Sequence, residues 1–243
     1  MTPTGGGADS LRPVKNSEGA SARLPRMPLR GALARCWWRA TSYRLVREDP
    51  PVTGSRILLG APHTSNWDFV HMLAIAWDAR LRVRWLGKQE LFRGVGGPFM
   101  RMLGGVPVDR SNPAGLVDAV IERARTERDF SLVVTPEGTR SGDGWRSGFY
   151  RIAMATGLPV TLGFIDVRSR TTGLGPTIRL TGDKAVDMDR IRAFYADKAG
   201  MKPELRTEPR LSGEVRTAGE PRPTGEHRSA SQHPREGEPT QPS

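Results

Sequence analysis

ILLGAPHTSNWD, residues 57–68, decides how this chain reads. An apolar run, Ile57 to Gly60, stops at Pro62. Ser65, followed three residues later by Asp68, then opens a segment with helical apolar spacing, so the local order is strand, turn, helix. His63 belongs to the turn. In a continuous helix His63 and Asp68 would point about 140° apart at roughly 100° per residue and would not meet. With His63 ahead of the helix cap they can. A carboxylate accepting from one ring nitrogen fixes the tautomer and leaves the other nitrogen free as a base. The competing explanation is structural, since an Asp in the first turn offsets the positive end of the helix dipole and His tolerates turns.

A second stretch favours chemistry. Phe130 to Ser141, FSLVVTPEGTRS, repeats the pattern of a short β-rich run, a proline, and then an acid, a glycine and an arginine in a turn. In an α/β sheet, ligands usually bind at strand ends and the loops that follow them. Outward from these two stretches, helices are expected at 67–79, 113–128, 148–155 and 188–198. Strands are expected at 82–86, 106–109, 130–134, 160–165 and 177–180, with an irregular helical stretch from Lys88 to Phe92 broken by glycines. Short strands alternating with helices predict a single α/β domain with a mixed or largely parallel sheet flanked by helices.

Four segments, the two polar strand ends among them, resemble the motifs of the glycerolipid acyltransferases. His63 and Asp68 are similar to the first, Gly104 to Arg110 (GGVPVDR) to the second, Pro136 to Ser141 (PEGTRS) to the third, and Leu158 to Gly163 (LPVTLG) to part of the fourth. Leu162 stands where the fourth motif has its second proline, Pro107 where a bulky apolar residue is common, and Thr135 where phenylalanine is common. The resemblance covers roughly residues 56 to 165. It implies transfer of a fatty acyl group from acyl-CoA or acyl-carrier protein to a lysophospholipid hydroxyl, with 1-acylglycerol-3-phosphate becoming phosphatidate. Glycerol-3-phosphate or another lysolipid is the alternative acceptor. His63 would be the general base and Asp68 its orienting partner. Arg110 and Arg140 would clamp the acceptor phosphate, with Glu137, Gly138 and Thr139 in the same substrate-binding turn. Lys88 could reach a phosphate too. No cofactor beyond the acyl donor is implied. A Gly-x-Ser-x-Gly elbow is missing, so a covalent acyl-enzyme is not suggested.

Charge and composition set the surroundings. The net charge is +11, and residues 1 to 47 carry nine basic and two acidic side chains, so most of the excess is N-terminal. A basic nucleic-acid-binding protein is the alternative from another class, but no recognition motif or aromatic stacking array accompanies the charge. Cys36 is the single cysteine and excludes an intramolecular disulfide. His63, Asp68 and His71 would supply only three metal ligands, and no metal site is expected. No run approaches the roughly 20 apolar residues that span a bilayer. Residues 1–24 are Gly/Ser/Pro-rich and residues 199–243 have almost no large apolar side chains, so both are expected to be disordered tails around a domain at 25–198. Within it, residues 25–46 read as a basic amphipathic helix, its apolar side formed by Leu29, Leu33, Cys36, Trp37, Ala40 and Tyr43. Arginines with interfacial tryptophans suit an anionic membrane surface, and the expected location is cytoplasmic, peripheral at the inner face of the membrane.

Overall fold

The computed structural model describes residues 28–47, 52–108, 113–127, 129–137, 144–211 and 214. Seven strands form one sheet: β1 (Arg44–Val46), β2 (Arg56–Gly60), β3 (Arg82–Lys88), β4 (Gly105–Val108), β5 (Phe130–Val134), β6 (Val160–Asp166) and β7 (Thr171–Ile178). Their spatial order is β1-β7-β6-β2-β5-β3-β4, and every neighbouring pair is parallel except β6 with β7. The helices are α1 (Pro28–Thr41), α2 (Trp67–Asp78), α3 (Gly97–Met102), α4 (Pro113–Thr126), α5 (Gly148–Thr156) and α6 (Lys184–Tyr195). The largely parallel α/β architecture expected from the alternation is the one found.

β2 lies at the centre, with Leu58 opposite Val133 of β5 and Leu59 opposite Leu162 of β6. Because side chains alternate along a strand, Ile57 and Leu59 enter one core and Leu58 the other. The first core packs α4, α5 and α6 against the sheet through Val120, Phe149, Ile152, Met188 and Ile191. The second lies under α2 and includes Ile75, Ala76, Val83, Trp85, Phe92 and Leu174. From β2 the chain leaves through α2 to β3, whereas from the adjacent β5 it leaves through α5 to β6, on the opposite face. Two neighbouring strands whose connections diverge leave a crevice beyond their carboxyl ends, and the turn that carries His63, with Glu137 against it, sits there.

Four boundaries differ from the sequence expectation. The N-terminal helix ends at Thr41, and residues 44–46 form an edge strand paired with β7. Its orientation also differs. Ala34 is buried and Trp37 and Trp38 are half-buried, while Leu29, Leu33, Cys36 and Ala40 face outward. α1 is therefore docked on α2, with Trp37 stacked on Trp67 at 5.9 Å. The C-terminal tail does not begin at 199. Residues 199–211 pack on the domain, where Leu211 is buried in the first core and Ala199 N–H donates to Asp166 at 3.1 Å. Finally, β7 spans 171–178, where the expected strand began at 177, and α6 starts four residues before the expected 188, capped by Asp183 accepting from the amides of Ala185 and Val186.

Candidate active site

The turn between β2 and α2 is built by Asp68. Its Oδ2 accepts from the amides of Thr64 at 2.7 Å and Ser65 at 2.8 Å, tying the first turn of the helix back to the residues that precede it. The acid arm of the expected capping signature is thus in place. The Ser65 hydroxyl accepts from Trp67 N–H at 3.3 Å, and the helix begins at Trp67. The same Oδ2 lies 3.2 Å from His63 Nδ1. With the Nδ1 proton directed at the carboxylate, the Nε2 lone pair is the free end of the ring. His63 retains 24% side-chain exposure, enough to meet a substrate, while Asp68 is buried.

Two further segments hold this turn. Glu137, at the end of β5, is buried, and its Oε1 accepts from the backbone amide of His63 at 3.2 Å. Burial raises the Glu137 pKa above the ordinary carboxylate range, against the opposing pull of the His63 amide and ring. On the other side, the Thr64 hydroxyl accepts from the amides of Met201 at 3.1 Å and Lys202 at 3.0 Å. Gly200 has φ of 73°, and a Cβ there would come within 3.0 Å of Thr64 Oγ1 and 3.2 Å of the Pro62 side chain. Thr64 is almost wholly buried by this strap. Nothing local in HTSNWD marks Thr64, because its partners lie 137 and 138 residues away.

A cavity of ≈ 420 Å³ opens beside the pair, between α2 and the carboxyl ends of the strands. His63 and Asp68 contribute to its wall; most of the rest is apolar, including Phe69, Met72, Ile75, Trp85 and Leu174. Lys88 and Leu91 line it and are also exposed, so the cavity reaches solvent there. Lys88 thus shares a cavity with His63 and Asp68, whereas Glu137 sits behind His63 and is not among the lining residues. Arg110, Gly138, Thr139 and Arg140 lie outside the described residues. His71 is buried against the rings of Trp37, Trp38 and Tyr43, and its pKa is lowered by burial despite the nearby Asp68. Among the described residues, no group of three or more His, Cys, Asp or Glu side chains is arranged to hold a metal ion. No described helix is long and apolar enough to cross a membrane.

Residues 43–161 match the family model described as Acyltransferase. A 1-acyl-sn-glycerol-3-phosphate acyltransferase of Limnanthes alba is 43% identical over 61 residues, covering 23% of this chain and 22% of that protein. A protein of the same name from Streptococcus pneumoniae (strain ATCC BAA-255 / R6) is 32% identical over 104 residues, 42% of this chain and 39% of the relative. The matched stretch thus spans well under half the length of these curated relatives. The crystal structure of the 1-acyl-sn-glycerophosphate (LPA) acyltransferase PlsC from Thermotoga maritima superposes with a TM-score of 0.50 at 17% identity, over 70% of this chain and 76% of that one, a likeness of fold.

Proposed function

We propose, from the match of residues 43–161 to the family model described as Acyltransferase, that the chain moves a fatty acyl group from acyl-CoA or acyl-carrier protein to the hydroxyl of a lysophospholipid, 1-acylglycerol-3-phosphate becoming phosphatidate. The observation that carries this reading is a His–Asp pair set into the wall of an otherwise mostly apolar cavity. A water-soluble substrate would not need such a lining, whereas an acyl chain is stabilised by about 0.8 kcal/mol for each methylene it buries.

In this mechanism Nε2 of neutral His63 takes the proton of the acceptor hydroxyl as its oxygen attacks the thioester carbonyl. Asp68 stabilises the imidazolium that forms. Collapse of the tetrahedral intermediate breaks the carbon–sulfur bond, and the imidazolium returns the proton to the departing thiolate. Glu137 and Thr64 hold the turn on which His63 rides. Arg110 and Arg140 meet the acceptor phosphate, the role that the family resemblance assigns to these two cations, and Lys88 at the cavity opening is placed to join them. No cofactor enters these steps. The acceptor's remaining chain stays in lipid, so the protein works at an anionic membrane surface, at the inner face of the cell membrane.

The test is mass spectrometry of the lipids made by purified full-length chain from a panel of lysolipids, glycerol-3-phosphate and acyl thioesters. Phosphatidate formed from 1-acylglycerol-3-phosphate, and abolished by His63→Ala, is the expected result. Failure to acylate any lysolipid would sink the reading, and preference for another acceptor would move it to that acceptor.

A further inference from the structure

Between β3 and β4 the chain makes a short excursion, a 3₁₀ turn at Gln89–Phe92 followed by α3. It is firmly built. Phe92 is buried against Trp85, with ring centroids 5.7 Å apart, and Arg101 donates to the Phe92 carbonyl at 3.1 Å while lying 5.5 Å from its ring. A Cβ on Gly97 would meet the Phe92 carbonyl oxygen at 2.2 Å, so the turn is closed as tightly as a backbone allows. Met100 also packs on the second core, yet four other large apolar side chains of this excursion point outward. Leu91 is 48% exposed, Phe99 53% and Met102 57%, and Val95 is fully exposed. Single exposed apolar residues are ordinary, but four on a firmly built fourteen-residue excursion are not. Arg30 of α1 donates to the Met102 carbonyl at 3.2 Å, which ties α1 to this excursion, and Leu29 and Leu33 of α1 are exposed as well.

We propose that the 89–102 excursion, with Val95 and Phe99 at its tip, is the surface by which this protein docks on an anionic lipid bilayer. The proposal rests on the acyl-transfer reading for the nature of the substrate, but its geometry is independent. Three observations select a bilayer as the occupant. Residues 88–102 carry Lys88, Arg93 and Arg101 against the single acid Glu90, a charge balance that suits anionic headgroups. The apolar tips are short and scattered among these cations, as in a segment that inserts into the headgroup region without spanning. Leu91 of the excursion and Lys88, the last residue of β3 just before it, are both exposed and both line the cavity, so an acyl chain rising from the bilayer enters the cavity without crossing water. A protein partner seated here would close that entrance.

The experiment is flotation of the full-length chain with vesicles of equal parts phosphatidylglycerol and phosphatidylcholine, and with phosphatidylcholine alone, at low and high salt. Val95→Glu/Phe99→Glu alters only exposed side chains, and circular dichroism checks its fold. Wild type should prefer the anionic vesicles and lose part of its binding in salt, and the double variant should bind them at least tenfold more weakly. Its turnover on short-chain lysolipid below the micellar concentration should match wild type, while turnover on vesicle-borne lysolipid falls by a similar factor. The flotation arm reads out even if no lysolipid is acylated, so failure of docking and failure of the proposed reaction are told apart. Undiminished flotation of the double variant overturns the proposal. So does loss of flotation confined to Leu29→Ser/Leu33→Ser, which would make α1 the anchor, or a wild-type dimer that Val95→Glu/Phe99→Glu splits while vesicle binding persists.

Discussion

Asp68→Asn separates the chemistry of the His63–Asp68 pair from its architecture. An asparagine carbonyl in the place of Oδ2 keeps both acceptor bonds to the amides of Thr64 and Ser65 and leaves the turn standing. What disappears is the negative charge 3.2 Å from His63 Nδ1, the group that faces the imidazolium as the acceptor proton is taken. At an effective dielectric near 20, a unit pair at that separation is worth about 5 kcal/mol. The asparagine dipole recovers part of this, so the rate should fall on the order of 10³-fold, with little change in substrate concentration dependence. Asp68→Ala loses the charge and both backbone bonds, adding a stability cost of roughly 1.5–3 kcal/mol for each charged hydrogen bond removed. Transfer is followed by mass spectrometry, because the exposed Cys36 would itself react with a thiol reagent used to count released carrier; stability is followed by urea unfolding. If folded Asp68→Asn protein turns over within tenfold of wild type, the carboxylate charge is not part of the mechanism. If Asp68→Ala unfolds at the wild-type urea concentration, Asp68 does not hold the turn.

Thr64→Val keeps the shape of the side chain but leaves the amides of Met201 and Lys202 without their acceptor, costing about 1–3 kcal/mol in total for partly buried donors; Thr64→Ser should restore both stability and transfer, and equal urea midpoints for all three proteins would count against the strap. Glu137→Gln tests the buried carboxyl. Its raised pKa means that, from about pH 4 upward, the folded chain holds a proton that the unfolded chain has released, so stability falls as pH rises through that window. The glutamine protein lacks this fall, and the urea midpoint difference between it and wild type should grow in its favour from pH 4.5 to 7.5; a constant difference would mean that Glu137 is not penalised by burial. Arg140→Lys keeps a charge but loses the planar fork, so the apparent KM for the acceptor should rise much more than that for the acyl donor, and an equal rise for both would remove Arg140 from the phosphate.

The strand, turn and helix around His63 were legible because the information is local: an apolar run, a proline and a cap within twelve residues. The wheel through residues 29–43 was misleading for the opposite reason. It ranks side chains by their own hydrophobicity, and Leu29 and Leu33 outrank the Ala34 and Trp38 that are turned inward. The docking side was chosen by α2, whose Trp67 and His71 offer ring faces to Trp37 and Trp38. β7 was hidden by its own composition, TTGLGPTI, in which two glycines and a proline read as a turn although the segment pairs with β6 and β1. Gly173, with φ of 147°, sits where a Cβ would meet the Val46 carbonyl oxygen at 2.0 Å, so glycine there is a condition of that pairing. Glu137 was legible as a site residue but not in its position, since only the fold brings the end of β5 behind the turn after β2.

The strap across Thr64 also sets a schedule. His63, Thr64 and Asp68 leave the ribosome early, but Met201 and Lys202, which donate to the Thr64 hydroxyl, follow 137 and 138 residues later. At elongation rates of about 5–20 residues per second, that is a delay of roughly 7 to 27 s. Within that interval β3 to β7 are made and α2 can dock, while the turn that carries the base still lacks its outer support. A chain released before residue 202 would therefore hold the His–Asp pair without the clamp that steadies it, so the competence of the site is tied to synthesis of residues 201 and 202.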